Sequence, residues 1–279
     1  MFLLRVMAAS IGAVWMAGTL AWASPSGDAP SSSVPPALQG VGITEKLGNQ
    51  IPVDRLKFRN EQGQEVLLSS YFSQGKPVVV AMVYYECPSL CNFLLNGLTD
   101  TLKAFEWVPG KQFQVLAVSI NPTETPELAQ KKKASYIASY GKPEASQGWH
   151  FLTGAESQIQ GLAQELGFGY KYDEKEKQYA HGAALFVLTP GGRLSRILYG
   201  IEFKPRDFRL ALVEAASGTI GSVVDRFLLF CYRYDATLRT YSVYLFNVMR
   251  VAGALTALAL VMTLGLVWRR QWRAQGQNE

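Results

Sequence analysis

Lys76-Pro77-Val78-Val79-Val80-Ala81-Met82-Val83-Tyr84-Tyr85, followed at once by Glu86-Cys87-Pro88-Ser89-Leu90-Cys91, is the stretch on which the reading of the fold turns. An unbroken β-branched and aromatic run offers no polar face to water. It predicts a strand buried on both sides, in a sheet covered by helices. From Asn92 to Phe105 the period changes, and Phe93, Leu94, Leu98, Leu102 and Phe105 recur at helical spacing. The two cysteines therefore fall at a strand-to-helix junction.

Working outward, Phe113 to Ile120 reads as a second strand and Glu127 to Tyr140 as a helix. The run Lys131-Lys132-Lys133 on that helix reads as a solvated face. Trp149 to Leu152 is a short strand, and Glu156 to Leu166 a helix with Gly167 as its cap. Ala183 to Leu188, then Thr189-Pro190-Gly191-Gly192, then Leu194 to Tyr199 form a hairpin. Arg206 to Ala216 is a further helix. Strands alternating with helices, closed by a hairpin and a helix, give an α/β domain with a mixed sheet in the thioredoxin-like order. The expected domain covers residues 40–218.

Composition agrees with a packed domain. Of 279 residues, 48% are apolar and 18% charged, which excludes wholesale disorder. The net charge of +5 forms no basic stripe interleaved with aromatics, so nucleic acid is not an expected partner.

The ends set the compartment. Residues 1–23 carry Arg5, an apolar run from Val6 to Trp22 and the exit Ala21-Trp22-Ala23, the pattern of a cleaved signal peptide. Residues 24–39 are rich in Ser, Pro, Gly and Ala and read as a flexible linker. Residues 219–247 are an aromatic connector carrying Cys231, read as a packed or interfacial cysteine. Residues 248–268 read as a transmembrane helix, since Val251 to Trp268 holds no charge and approaches the ~20 residues a bilayer needs. Arg269, Arg270 and Arg273 then mark residues 269–279 as a basic cytoplasmic tail. The expectation is a single-pass protein of the inner membrane with its main domain in the periplasm.

The chain has three cysteines and two histidines. Cys87 and Cys91, four residues apart, can share one helix face. At a helix N-terminus the dipole favours thiolate, which is both nucleophile and soft metal ligand. The pair could also close into a disulfide. His150 lies between Trp149 and Phe151 and reads as a satisfied core or edge histidine. His181 follows the polar stretch Tyr172–Gln178 and precedes a buried strand, so it is placed on a loop at the strand's edge. In a thioredoxin-like sheet that loop approaches the cysteine pair. Two thiolates and an imidazole make a soft site suited to Cu(I), and a Cys₂His set also suits zinc with an open fourth position.

Several segments resemble the Sco/SenC family of copper chaperones. They are Tyr84-Tyr85-Glu86-Cys87-Pro88-Ser89-Leu90-Cys91, Val118-Ser119-Ile120-Asn121-Pro122 with Thr125-Pro126-Glu127, and Tyr179-Ala180-His181 before Thr189-Pro190-Gly191-Gly192. The resemblance covers residues 40–216. It implies a thioredoxin-like domain that binds one copper through Cys87, Cys91 and His181. It further implies delivery of copper to the binuclear copper centre of cytochrome c oxidase, or upkeep of that centre's cysteines. The family commonly has Asp where this chain has Asn121 and Pro where it has Asn92, and many members are anchored at the N-terminus instead.

The reading is thus a metallochaperone rather than an enzyme. The alternative is a thiol–disulfide oxidoreductase using Cys87 and Cys91. Its usual Cys-x-x-Cys has two intervening residues where this chain has three, and its usual proline is replaced by His181-Gly182. A peroxidase, with Thr99 or Thr101 beside the cysteines, ranks last because no arginine partner is evident.

Overall fold

In the computed structural model of the chain, the described residues are 39–72, 74–86, 90–216, 232–235, 240–243 and 245–275. Side chains are described for these except at 90, 91, 232–235, 240–243, 245–248 and 267–275. The expected signal peptide and nearly all of the linker lie outside the described residues, as do Cys87 and Cys231.

Chain order begins with β1 (Gly42–Ile43), β2 (Lys57–Arg59) and β3 (Glu65–Leu67). The core follows: β4 (Val78–Val83), α1 (Leu90–Lys103), β5 (Gln114–Ser119), α2 (Pro126–Tyr140), β6 (Trp149–Leu152) and α3 (Glu156–Leu166). Next come β7 (Phe168–Asp173), β8 (Gln178–His181), β9 (Ala184–Leu188), β10 (Leu194–Tyr199) and α4 (Pro205–Ala215). Beyond them are β11 (Tyr232–Asp235), β12 (Thr240–Val243) and α5 (Leu245–Gln275).

The main sheet has the order β10-β9-β4-β5-β6. β4 runs parallel to β5 and β5 to β6, whereas β9 is antiparallel to both β4 and β10. Every residue of β4, β5 and β9 is buried, which explains why those segments are apolar without alternation. α2 packs on β6, α4 on β9 and β10, and α1 against α2 and α4. This mixed sheet flanked by helices is the thioredoxin-like arrangement.

Local chemistry sets the helix ends. Thr125 caps α2 by accepting the Leu128 N–H, and Pro126 supplies a first residue already fixed at helical φ. Gly167 ends α3 in the left-handed conformation, with φ 73°.

Two expectations need correction. The polar stretch Tyr172–Gln178 is not a plain loop, because β7 and β8 pair antiparallel across it, Tyr170 opposite His181. His181 is thus the last residue of a strand. The lysine run is not one solvated face: Lys133 is paired with the buried carboxylate of Glu61, and its side chain is only 14% exposed. Lys132 donates to Asn92 Oδ1 of α1 at 3.4 Å. Cys91 falls in the first turn of α1, at the strand-to-helix junction as expected.

α1 is held tightly against the loop before α4. A Cβ on Gly97 would stand 1.7 Å from the Ile201 carbonyl oxygen. Nearby, Thr101 Oγ1 lies within hydrogen-bond reach of the carbonyls of Gly97 (2.7 Å) and Phe203 (2.9 Å). Thr99 Oγ1 donates to the Leu95 carbonyl, so both threonine hydroxyls bond to backbone carbonyls. Gly97→Ala would gain about 1 kcal/mol of helix propensity. The backbone must move to admit the methyl group, which costs more. The expected result is a net loss of roughly 2 kcal/mol in urea unfolding. A stabilised variant would show that the loop yields freely.

α5 contains Met249–Leu266, with mean hydropathy 1.8 and no buried residue, and it is long and apolar enough to cross a membrane. β11 and β12 form a two-stranded antiparallel ribbon within the expected connector.

Candidate metal centre

The site is built where the C-terminal ends of β4 and β5 meet. These strands run parallel and in register, Val83 opposite Ser119, so the chain leaves both at the same edge of the sheet. After β4 come Tyr84, Tyr85 and Glu86, leading to Cys87. After β5 comes the turn Ile120–Thr125, leading to α2.

Glu124 ties the two exits together. Its Oε2 accepts the Tyr85 N–H at 2.9 Å and the Ser119 hydroxyl at 2.6 Å, and its Oε1 accepts the Glu86 N–H at 2.8 Å. The residue is buried. Burial pushes its carboxyl above the usual range, against the pull of these three donors. Tyr85 is buried too, its hydroxyl 2.8 Å from the carbonyls of both Ala117 and Leu152. The backbone entering the cysteine segment is therefore held from two sides.

Cys91 is the second residue of α1. A thiol in the first turn feels the positive end of the helix dipole, which favours thiolate. The side chain of Cys91 and the whole of Cys87 lie outside the described residues. Among the described residues no group of three His, Cys, Asp or Glu is arranged to hold a metal ion.

His181 closes β8 on the same side. Its ring stands edge-on to Tyr84, centroids 6.0 Å apart, and packs on Phe168 at 5.8 Å. Tyr84 also meets Tyr179 of β8 at 5.4 Å. A residue three positions before Cys87 thus touches a histidine nearly a hundred positions further along. His181 Nδ1 lies 2.8 Å from the Gly182 carbonyl, which can only accept, so Nδ1 carries the proton. In the neutral ring this puts the lone pair on Nε2, the atom that would face a metal if His181 held one. Burial lowers the pKa of His181, and the hydrogen bond to Gly182 opposes that only in part.

His150 is elsewhere. It lies on β6 with Nε2 3.2 Å from the Gln147 carbonyl and Nδ1 3.5 Å from Glu61, as a satisfied edge histidine would.

Comparison with known proteins follows the geometry. The family described as SCO1/SenC matches residues 48–214. The chain belongs to the SCO1/SenC family. A SCO1 protein homolog of Bacillus subtilis (strain 168) is 25% identical over 168 residues, covering 59% of this chain and 82% of that protein. A crystal structure from Aquifex aeolicus VF5 superposes with TM-score 0.55 at 21% identity, over 62% of this chain and 96% of that one. Arabidopsis thaliana ScoI, solved with copper bound, gives TM-score 0.45 at 17% identity, over 58% and 96%.

Within this SCO1/SenC chain, Asn121 is part of the same edge. Its Oδ1 accepts the Thr123 N–H (3.1 Å) and hydroxyl (2.8 Å), and the Tyr179 hydroxyl lies 3.5 Å away. Sequence reasoning missed Glu124 altogether. The only signal was an acidic residue directly before the Thr125-Pro126 helix start. The SCO1/SenC match ends before α5 begins.

Proposed function

We propose that the protein is an exported, membrane-anchored copper-binding protein whose ligands are Cys87, Cys91 and His181, and that it serves assembly of the binuclear copper centre of cytochrome c oxidase. The observation that carries this reading is the contact of His181 with Tyr84. It places an imidazole of defined tautomer beside the segment that leads into Cys87. Two thiolates and one neutral imidazole form a soft, low-coordinate set, which selects Cu(I) over hard cations. SCO1/SenC membership and the copper found in Arabidopsis ScoI point the same way. The copper is cargo in this reading, passed to the oxidase subunit that holds the copper centre, or used alongside reduction of that centre's cysteines.

Anchoring is assigned to α5. Arg269, Arg270 and Arg273 after the apolar stretch would stay on the cytoplasmic side, which puts the thioredoxin-like domain in the periplasm and the chain in the inner membrane. Residues 1–23 would be removed on export.

The test is an anaerobic titration of the full chain in detergent micelles, reduced, with Cu(I) against a competing chelator. One tight equivalent is expected, and Cys87→Ala should abolish it. No tight equivalent, together with catalytic exchange of disulfides in a thiol substrate, would replace this reading with the periplasmic oxidoreductase.

A further inference from the structure

The carboxylate of Glu124 has a role that packing does not explain. It is buried, and its three hydrogen-bond donors are the Ser119 hydroxyl and the backbone N–H groups of Tyr85 and Glu86, the last two residues before Cys87. Among the described residues no lysine, arginine or histidine pairs with it. A buried charge of this kind costs free energy unless its donors are fixed, so it fixes them in turn. Two consecutive N–H groups aimed at two oxygens of one carboxylate fix the orientation of both the Tyr84–Tyr85 and the Tyr85–Glu86 peptides. A glutamine of the same shape presents N–H to N–H at one of these places, and an aspartate falls short by a methylene.

We infer that Glu124 is a positioning residue for the metal site: it clamps the backbone entering Cys87 and thereby sets the preorganisation and the redox balance of the Cys87–Cys91 pair. The inference rests on the reading of those cysteines as the site. Preorganised ligands lose less freedom on binding, so the clamp contributes to Cu(I) affinity. It also holds a negative charge on the N–H of Glu86, the residue bonded to Cys87. That charge disfavours the thiolate-bearing reduced form, so neutralising it makes the pair a stronger oxidant.

The experiment compares Glu124→Gln, Glu124→Asp and Ser119→Ala with the wild-type full chain in detergent micelles. Three readouts are taken: the thiol–disulfide midpoint potential in glutathione buffers, Cu(I) affinity, and thermal unfolding of the reduced, metal-free protein. For Glu124→Gln the exchange constant should change about tenfold, raising the potential by about 30 mV. Cu(I) affinity should fall about tenfold. Glu124→Asp, which keeps the charge, should recover most of the potential but not the affinity. If Glu124→Gln fails to fold, Ser119→Ala, which removes a single donor, is read by the same criteria at about threefold. A potential unchanged within twofold in the exchange constant overturns the inference, whatever happens to the melting temperature. Wild-type protein that takes up no Cu(I) sinks the copper reading alone, and the potential still decides the clamp.

Discussion

Replacing His181 with alanine is expected to weaken Cu(I) binding by about a hundredfold or more while the reduced, metal-free protein stays folded. Loss of groups that merely orient a metal ligand costs 10- to about 100-fold, and loss of the ligand itself lies at or beyond the upper end. His181 is half-buried, so the structural cost of removing its ring is roughly 1–2 kcal/mol. The pH dependence separates a ligand from a packing residue. Cu(I) needs the neutral ring, and burial lowers the His181 pKa below its ordinary 6.5. The imidazole's share of the affinity should therefore persist as pH falls through 6.5 and disappear only further down. That component should be missing from His181→Ala. The same sign governs stability, because a histidine buried neutral stabilises the fold above its unfolded pKa and loses that contribution as pH falls through the folded value. Equal affinity in His181→Ala and wild type across the pH range would remove His181 from the site.

Glu61→Ala is expected to be the most destabilising single change in the polar framework, at roughly 3–5 kcal/mol. Glu61 sits in the turn between β2 and β3, its side chain 2% exposed. Burial alone would raise its pKa. Hydrogen bonds from His150 and Lys133 outweigh that and bring it down to about 2. Phe151 N–H points at its other oxygen, at 3.4 Å. Removing the carboxylate leaves the Lys133 ammonium, itself mostly buried, with no counter-charge here. Thermal unfolding should drop by roughly 10 °C. A folded pKa below the ordinary 4.5 means the stabilisation is complete above pH 4.5 and lost as pH falls towards 2, about 3 kcal/mol in all. Glu61→Ala should lack this acid transition. Adding Lys133→Met should restore part of the loss, since an apolar side chain leaves no unpaired charge. A double variant less stable than Glu61→Ala would show that Lys133 contributes through other contacts.

Much of the framework was legible. β6 falls on Trp149–Leu152 as the pattern predicts, and α3 ends at Gly167 where a glycine cap was expected. These are local properties, set by side-chain period and by backbone conformations that glycine adopts freely. β7 could have been read as well, since Phe168, Tyr170 and Tyr172 alternate with smaller or charged residues. The polar tip beyond it disguises the hairpin, so the local pattern predicts a loop where His181 in fact ends β8. Lys133 illustrates a different failure: three adjacent lysines look equivalent in sequence, and only the β2–β3 turn, brought up against α2, singles one out for burial.

The sequence by itself determined the central strands, the helices that alternate with them, the cysteine spacing at the end of β4 and the apolar stretch now seen in α5, because each is written in neighbouring residues. Tertiary structure decided which residues meet at the candidate site. Val83 lies opposite Ser119 only through the parallel register of β4 and β5, and that register is what delivers Glu124 to the N–H groups of Tyr85 and Glu86. His181 reaches Tyr84 only because the β7–β8 hairpin folds back beside that sheet edge. Contacts across such separations follow from strand pairing and burial acting on the whole chain, and no local pattern encodes them.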